Sequence, residues 1–126
     1  MPFVQTGEML EKAQQGSYAV GAFNAENMEM VQAIIAAAEA ENAPVIIQTT
    51  PGTLKYAGPK CFASLVGRLA KDAAVPVALH LDHGNSYELA EECAREGYTS
   101  LMIDGSKLPY EENIALTRRV SATFSS

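Results

Sequence analysis

Positive charge is scarce in this sequence. Nine Lys and Arg residues face fifteen Asp and Glu, a formal net charge of −6, and no block of like sign interrupts the chain. Nucleic acid is disfavoured as a partner, because its backbone demands a basic patch. A phosphorylated small molecule stays open, since a few backbone N–H groups and a metal can hold it locally. Long hydrophobic runs are missing too. The longest apolar-rich segment, VQAIIAAAEA, is too short and too interrupted to span a bilayer, so no membrane partner is expected. The opening MPFVQTGEML has neither a basic start nor an apolar core, which argues against a secretory signal. Cysteine is down to Cys61 and Cys93, both in expected helices. They read as reduced packing residues in a cytoplasmic protein rather than as a disulfide. No linker or low-complexity stretch divides the 126 residues, which suffice for one ordinary domain and not for two.

What is present is a rhythm. TGEMLEKAQQG reads as a short helix capped by Thr6, with Met9, Leu10 and Ala13 on one face and Gly16 at its end. YAVGAFN is a first strand. ENMEMVQAIIAAAEAEN is a helix whose Met30, Ile34, Ala37 and Ala38 recur at helical spacing. APVIIQTT is a continuous apolar run, suited to a parallel strand covered on both faces. GPKCFASLVGRLAKDA gives a helix with Pro59 in its first turn and Phe62, Leu65, Val66 and Leu69 on one side. VPVALHLDH is a third strand. SYELAEECAREG is a helix capped by Ser86 and closed by Gly97, with Leu89, Ala90 and Cys93 inward. TSLMIDGS is a fourth strand, and PYEENIALTRRV opens a last helix that dissolves into SATFSS. Strand and helix thus alternate with repeats of about 25 to 32 residues, as βαβ units require. The fold class is α/β, either an open doubly wound sheet or part of a (β/α)8 barrel. AFNAEN carries no glycine after the first strand, which lowers the dinucleotide-binding option.

Every strand ends in polar groups: Asn24; then Gln48, Thr49 and Thr50; then His80, Asp82 and His83; then Asp104 and Ser106. In either architecture the carboxyl ends of parallel strands face the ligand site. Both histidines of the chain fall in ALHLDHGNS. Side chains alternate across a strand, so His80 and Asp82 point one way, Leu79 and Leu81 the other. His83 sits where the strand stops, and Gly84 allows close backbone approach. Imidazole beside carboxylate suits a metal-centred site, yet catalytic zinc needs three protein ligands. Beyond His83 this chain offers only His80 or Asp104. Plainer roles compete at each position. His80 reads foremost as a hydrogen-bonded interior residue, Asp104 and Thr50 could be turn formers, and Asn24 could cap the next helix. Lys55 and Tyr56 read as solvated loop residues.

VPVALHLDHG resembles the metal-binding signature of class II fructose-1,6-bisphosphate and tagatose-1,6-bisphosphate aldolases. The resemblance extends through YAVGAFNAEN, PVIIQTTPGT and SLMIDGSKLPYEENI, four collinear segments reaching about Arg119. It implies a (β/α)8 TIM-barrel fold, of which residues 1–126 supply about four βα units after a short N-terminal helix: the N-terminal half of the barrel domain. It implies Asp82 as the catalytic acid/base and His83 as a ligand of the catalytic zinc, which polarises the dihydroxyacetone phosphate carbonyl. Asp104 matches a carboxylate that binds a second divalent cation in some members. Thr50 matches a hydroxyl near the aldehyde half of the substrate, Asn24 a polar position on the first-strand rim, and His80 a residue that steadies the site. The implied reaction is reversible cleavage of fructose 1,6-bisphosphate into dihydroxyacetone phosphate and glyceraldehyde 3-phosphate, with a homo-oligomer as the full enzyme. Tagatose 1,6-bisphosphate is the alternative substrate. No lysine ends a strand to form a Schiff base; Lys55 and Lys107 lie in the loops beyond.

Members of that family are about twice as long, because eight strands close the barrel. The other zinc-ligand histidines, the carboxylate that removes the dihydroxyacetone phosphate proton and the phosphate loops have no counterpart here. An open half-barrel is expected to expose the edges of its first and fourth strands and the apolar side chains of its interior. Such a truncated chain is expected to be poorly stable or self-associating, with weak zinc binding and impaired activity. Two other classes compete: a non-catalytic half-barrel that pairs with itself, and another metal-dependent barrel enzyme using His80 and His83 as an H-x-x-H pair.

Overall fold

The computed structural model describes residues 3–124. Its elements run α1 (Thr6–Gly16), β1 (Gly21–Asn24), α2 (Met28–Ala40), β2 (Val45–Thr49), α3 (Pro51–Ala57), α4 (Pro59–Lys71), β3 (Val77–Gly84), α5 (Tyr87–Glu96), β4 (Ser100–Ile103) and α6 (Tyr110–Phe124). The strands form one parallel sheet in the order β1-β2-β3-β4, the expected α/β alternation. Among the described residues no helix is long and apolar enough to cross a membrane.

The two faces of the sheet have different partners. Val45, Ile47, Val77, Leu79 and Leu81 pack against Val31 and Ile35 of α2, Phe62 and Val66 of α4 and Cys93 of α5, forming the main core. On the other face Ile46 and Ala78 are buried beneath Met9 of α1, with Val4 and Val20 beside them. Apolar side chains on this inner face were expected to meet water. Ile46 and Ala78 do not, because α1 covers them, whereas Ala22 of β1 and Met102 of β4, the latter at 39%, are exposed as expected. Above this covered layer lies a polar row set by the register: Asn24 pairs with Gln48, Gln48 with His80, and His80 with Ser100. One face therefore changes from apolar to polar along the strands, and the polar end carries the candidate site.

Several local expectations are corrected. Gln5, not Thr6, occupies the α1 cap; Thr6 is buried and hydrogen bonds Thr99 Oγ1 at 2.9 Å. In α2 the buried stripe is Val31, Ile35 and Ala38, while Met30 is 38% exposed. Ile34 and Ala37 instead line an apolar groove with Tyr18 and Phe23 along the β1 edge. Lys55 and Tyr56 are exposed as expected, yet they sit on α3, which opens with Pro51 and stops at Gly58 with φ 84°. The last helix does not dissolve at Ser121: α6 runs to Phe124, whose ring lies 5.8 Å from that of Tyr87, with Arg119 stacked 3.6 Å above the latter, and the last two residues of SATFSS lie outside the described residues. Cys93 is a buried packing residue with its thiol pushed up to about 12 by desolvation, whereas Cys61 is exposed; both are free. Ser86 and Gly97 bound α5 as expected, Ser86 Oγ accepting from Leu89 N–H and Gly97 adopting φ 107°.

Candidate active site

The site is built on an irregularity between β3 and β4. Leu81 pairs with Leu101, but the next pair is Gly84 with Ile103, so β3 spends one more residue than β4 over the same rise. Such bulges bend a strand and re-aim side chains next to active sites. His83 takes up the extra residue with φ 52°, a left-handed conformation uncommon outside glycine. Gly84 then passes so close to β4 that a Cβ there would stand 3.0 Å from the Met102 carbonyl oxygen. His83 is thereby turned out of the strand alternation and stands 58% exposed at the sheet's carboxyl end.

Asp104 meets it there. Its backbone N–H donates to Gly84 O at 2.8 Å, and its Oδ1 accepts from Ser106 N–H at 2.9 Å. Its Oδ2 lies 2.7 Å from His83 Nδ1. The hydrogen bonds from His83 and Ser106 hold the Asp104 carboxyl well below the usual carboxylate range, so it is the acceptor and Nδ1–H the donor. The same bond, aided by Asp82, raises the His83 pKa above its ordinary 6.5. With Nδ1 engaged, Nε2 is the ring's free ligating atom, and it lies 3.9 Å from Asp82 Oδ2.

Asp82 is largely shielded, at 20% side-chain exposure, and Gln48 Nε2 donates to its Oδ2 at 3.3 Å. The same amide donates to Asn24 Oδ1 at 3.0 Å, tying the ends of β1, β2 and β3 together. His80 shares a 2.7 Å hydrogen bond with Ser100 Oγ through Nδ1, and its Nε2 is 3.9 Å from Asp82 Oδ1. Burial lowers its pKa, with Asp82 partly opposing. His80 thus sits inside the polar row as a neutral neighbour of Asp82.

Of the expected residues, the structure gathers His80, Asp82, His83 and Asp104 at one rim, with Asn24 reaching it through Gln48. Asn24 does not cap α2; Asn27 does, accepting from Met30 N–H at 2.9 Å. Thr50 occupies the α3 cap position, where its hydroxyl lies 3.5 Å from that of Thr53 and caps nothing. Gln48 and Lys107 gained no role in the sequence reading, although Gln48 was visible as a strand-ending polar residue. Lys107 lines a cavity of about 380 Å³ together with Pro51, His83, Asn85 and Asp104.

The donor set suits zinc in kind, since an imidazole whose second nitrogen is held by a carboxylate is a recurrent zinc ligand. It is short in number. Among the described residues no group of three or more His, Cys, Asp or Glu converges on one point.

Comparison with known proteins agrees across sequence and fold. Residues 4–126 match the family model described as fructose-bisphosphate aldolase class-II. The fructose-bisphosphate aldolase of Streptococcus pyogenes serotype M1 is 50% identical over 123 residues, covering 95% of this chain and 42% of that protein. The one from Thermus caldophilus is 50% identical over 113 residues, covering 90% and 37%. The crystal structure of the YdjI aldolase from Escherichia coli K12 superposes with a TM-score of 0.87 at 34% identity, over 97% of this chain and 47% of that one. Fructose-bisphosphate aldolase from Campylobacter jejuni gives a TM-score of 0.77 at 28% identity, over 93% and 42%. The chain therefore spans less than half the length of the relatives it matches, and its four βα units are of the TIM-barrel type.

Proposed function

Because this chain belongs to the class-II fructose-bisphosphate aldolase family, we propose that its protein cleaves fructose 1,6-bisphosphate reversibly into dihydroxyacetone phosphate and glyceraldehyde 3-phosphate. The observation that carries the reading is His83: exposed at the strand ends, with Nδ1 held by Asp104 at 2.7 Å and Nε2 left beside Asp82. The names of the curated relatives favour fructose over tagatose bisphosphate, which differ only in configuration at C4.

Asp82 is the acid/base. In cleavage its carboxylate takes the proton of the C4 hydroxyl, the C3–C4 bond breaks, and the bonding pair stays with the dihydroxyacetone phosphate half. In condensation it returns that proton to the aldehyde oxygen. Zinc, when bound, supplies the electrophile that polarises the ketone carbonyl. His83 is one zinc ligand, with its tautomer fixed by Asp104. The 2.7 Å bond to His83 makes this the first duty of Asp104, ahead of a second cation. Catalytic zinc takes three protein ligands, and among the described residues His83 is the one this reading assigns. His80 and Gln48 line the Asp82 carboxylate, and Asn24 and Thr50 offer polar contacts to the sugar phosphate at the ends of β1 and β2.

The test is an assay of the full-length protein on fructose 1,6-bisphosphate with added zinc, with a chelator, and with Asp82→Asn. Zinc-dependent release of triose phosphates is expected, with kcat lowered about 10²- to 10⁴-fold in the variant. A zinc-loaded protein that leaves the substrate intact, or a chelated one that keeps full turnover, would refute the reading.

A further inference from the structure

A sugar bisphosphate carries two phosphoryl groups, yet the mouth of the site is acidic, with Asp82 and Asp104 both at the strand ends. Lys107 is the only Lys or Arg lining the cavity that His83 and Asp104 share with Asn85 and Pro51. The segment that bears it is fastened: Asp104 N–H to Gly84 O at 2.8 Å, Ser106 N–H to Asp104 Oδ1 at 2.9 Å, and Leu108 N–H to Gly105 O at 2.9 Å. The root of Lys107 is thus fixed relative to His83, while its side chain remains exposed.

Its charge is uncommitted. Among the described residues Lys107 joins no ion pair, whereas Arg68 is bound to Asp72 and Arg119 lies on the Tyr87 ring. The nearby carboxylate of Asp104 is already occupied by His83 and Ser106. A lysine kept for stability would gain most by closing on that carboxylate; this one lines the cavity unpaired.

We propose that Lys107 is a specificity-determining residue whose ammonium holds the phosphoryl group on the aldehyde half of the substrate. The inference rests on the aldolase reading, which sets Thr50 beside the aldehyde half; Pro51, the next residue, lines the cavity with Lys107. Lysine serves phosphate as a compact point charge with three donors. It would let the site distinguish glyceraldehyde 3-phosphate from the unphosphorylated aldehyde.

The experiment compares full-length wild type, Lys107→Gln and Lys107→Arg. Calorimetry follows binding of glyceraldehyde 3-phosphate, glyceraldehyde and dihydroxyacetone phosphate, and condensation activity is assayed in parallel. Lys107→Gln is expected to weaken glyceraldehyde 3-phosphate about tenfold, the scale of one charge-assisted hydrogen bond near solvent. The other two ligands should be unaffected, Lys107→Arg should keep most of the affinity, and the difference should shrink in high salt. Unchanged affinity for glyceraldehyde 3-phosphate in Lys107→Gln overturns the inference, as does weakening shared equally by glyceraldehyde or confined to dihydroxyacetone phosphate. The two readings separate cleanly. An active enzyme indifferent to Lys107 loses the phosphoryl contact and keeps the aldolase reading. An inactive wild type with Lys107-dependent binding loses the aldolase reading and keeps the contact.

Discussion

The bond between His83 and Asp104 sets both the proton affinity of the ring and the atom it can offer to a metal. Replacing Asp104 with Asn keeps the shape and removes the charge. The His83 pKa is then expected to drop back toward 6.5, read by NMR titration of the ring. Zinc affinity of the full-length protein should fall about 10- to 100-fold, the usual penalty for losing a ligand's outer partner. At this scale the sequence was informative about which polar residues gather at the rim and poor about what each one touches. The placing of His83 and Asp82 together at the rim was legible because both close the same strand at its carboxyl end. The partnership of His83 with Asp104 was not, because it depends on which strands are neighbours and on a register shift that no spacing encodes. Asp104 was accordingly read as a cation ligand before it was read as a partner of histidine. The bond from Gln48 to Asp82 was hidden for the same reason.

At the level of elements, the bulge in β3 is the feature on which the site's geometry turns. A Cβ on Gly84 would meet Leu81 Cδ2 at 2.7 Å and Met102 O at 3.0 Å. The leucine can rotate away; the carbonyl belongs to β4 and cannot without moving the strand. Gly84→Ala is expected to cost about 1–3 kcal/mol in urea unfolding, as overpacking does. It should also shift the His83 ring resonances, which a change confined to stability would leave alone. Elements with a strong period were read correctly, and the misses have local causes. Thr50-Pro51-Gly52 looks like a turn, but proline is equally at home in the first turn of a helix, and buried Leu54 and Thr53 anchor α3. α2 is apolar on two sides, so its pattern could not say which stripe meets the core and which faces the β1 edge. α6 continues past its expected end because Phe124 finds Tyr87.

For the molecule as a whole, the two histidines give stability opposite dependences on pH. The His80 pKa is lowered by burial. Above pH 6.5 its ring is neutral in both states; below, the unfolded chain takes up a proton the fold resists, and stability declines. The His83 pKa is raised, so its stabilisation is complete below 6.5 and fades as pH rises through the folded value. The thermal midpoint between pH 5 and 8 should therefore fall less on the acid side in His80→Gln and more in His83→Ala. The alternation of strands and helices was open to reading from the sequence. The covering of the inner face by α1 was not, because an amphipathic helix does not announce which of two sheet faces it will meet. Every hydrogen bond that readies the histidines is close along the chain: His80 reaches Ser100 across 20 positions and His83 reaches Asp104 across 21. Such short loops close early and at little entropic cost. On a ribosome, then, the imidazole can be oriented once the single strand–helix–strand unit of β3, α5 and β4 has emerged.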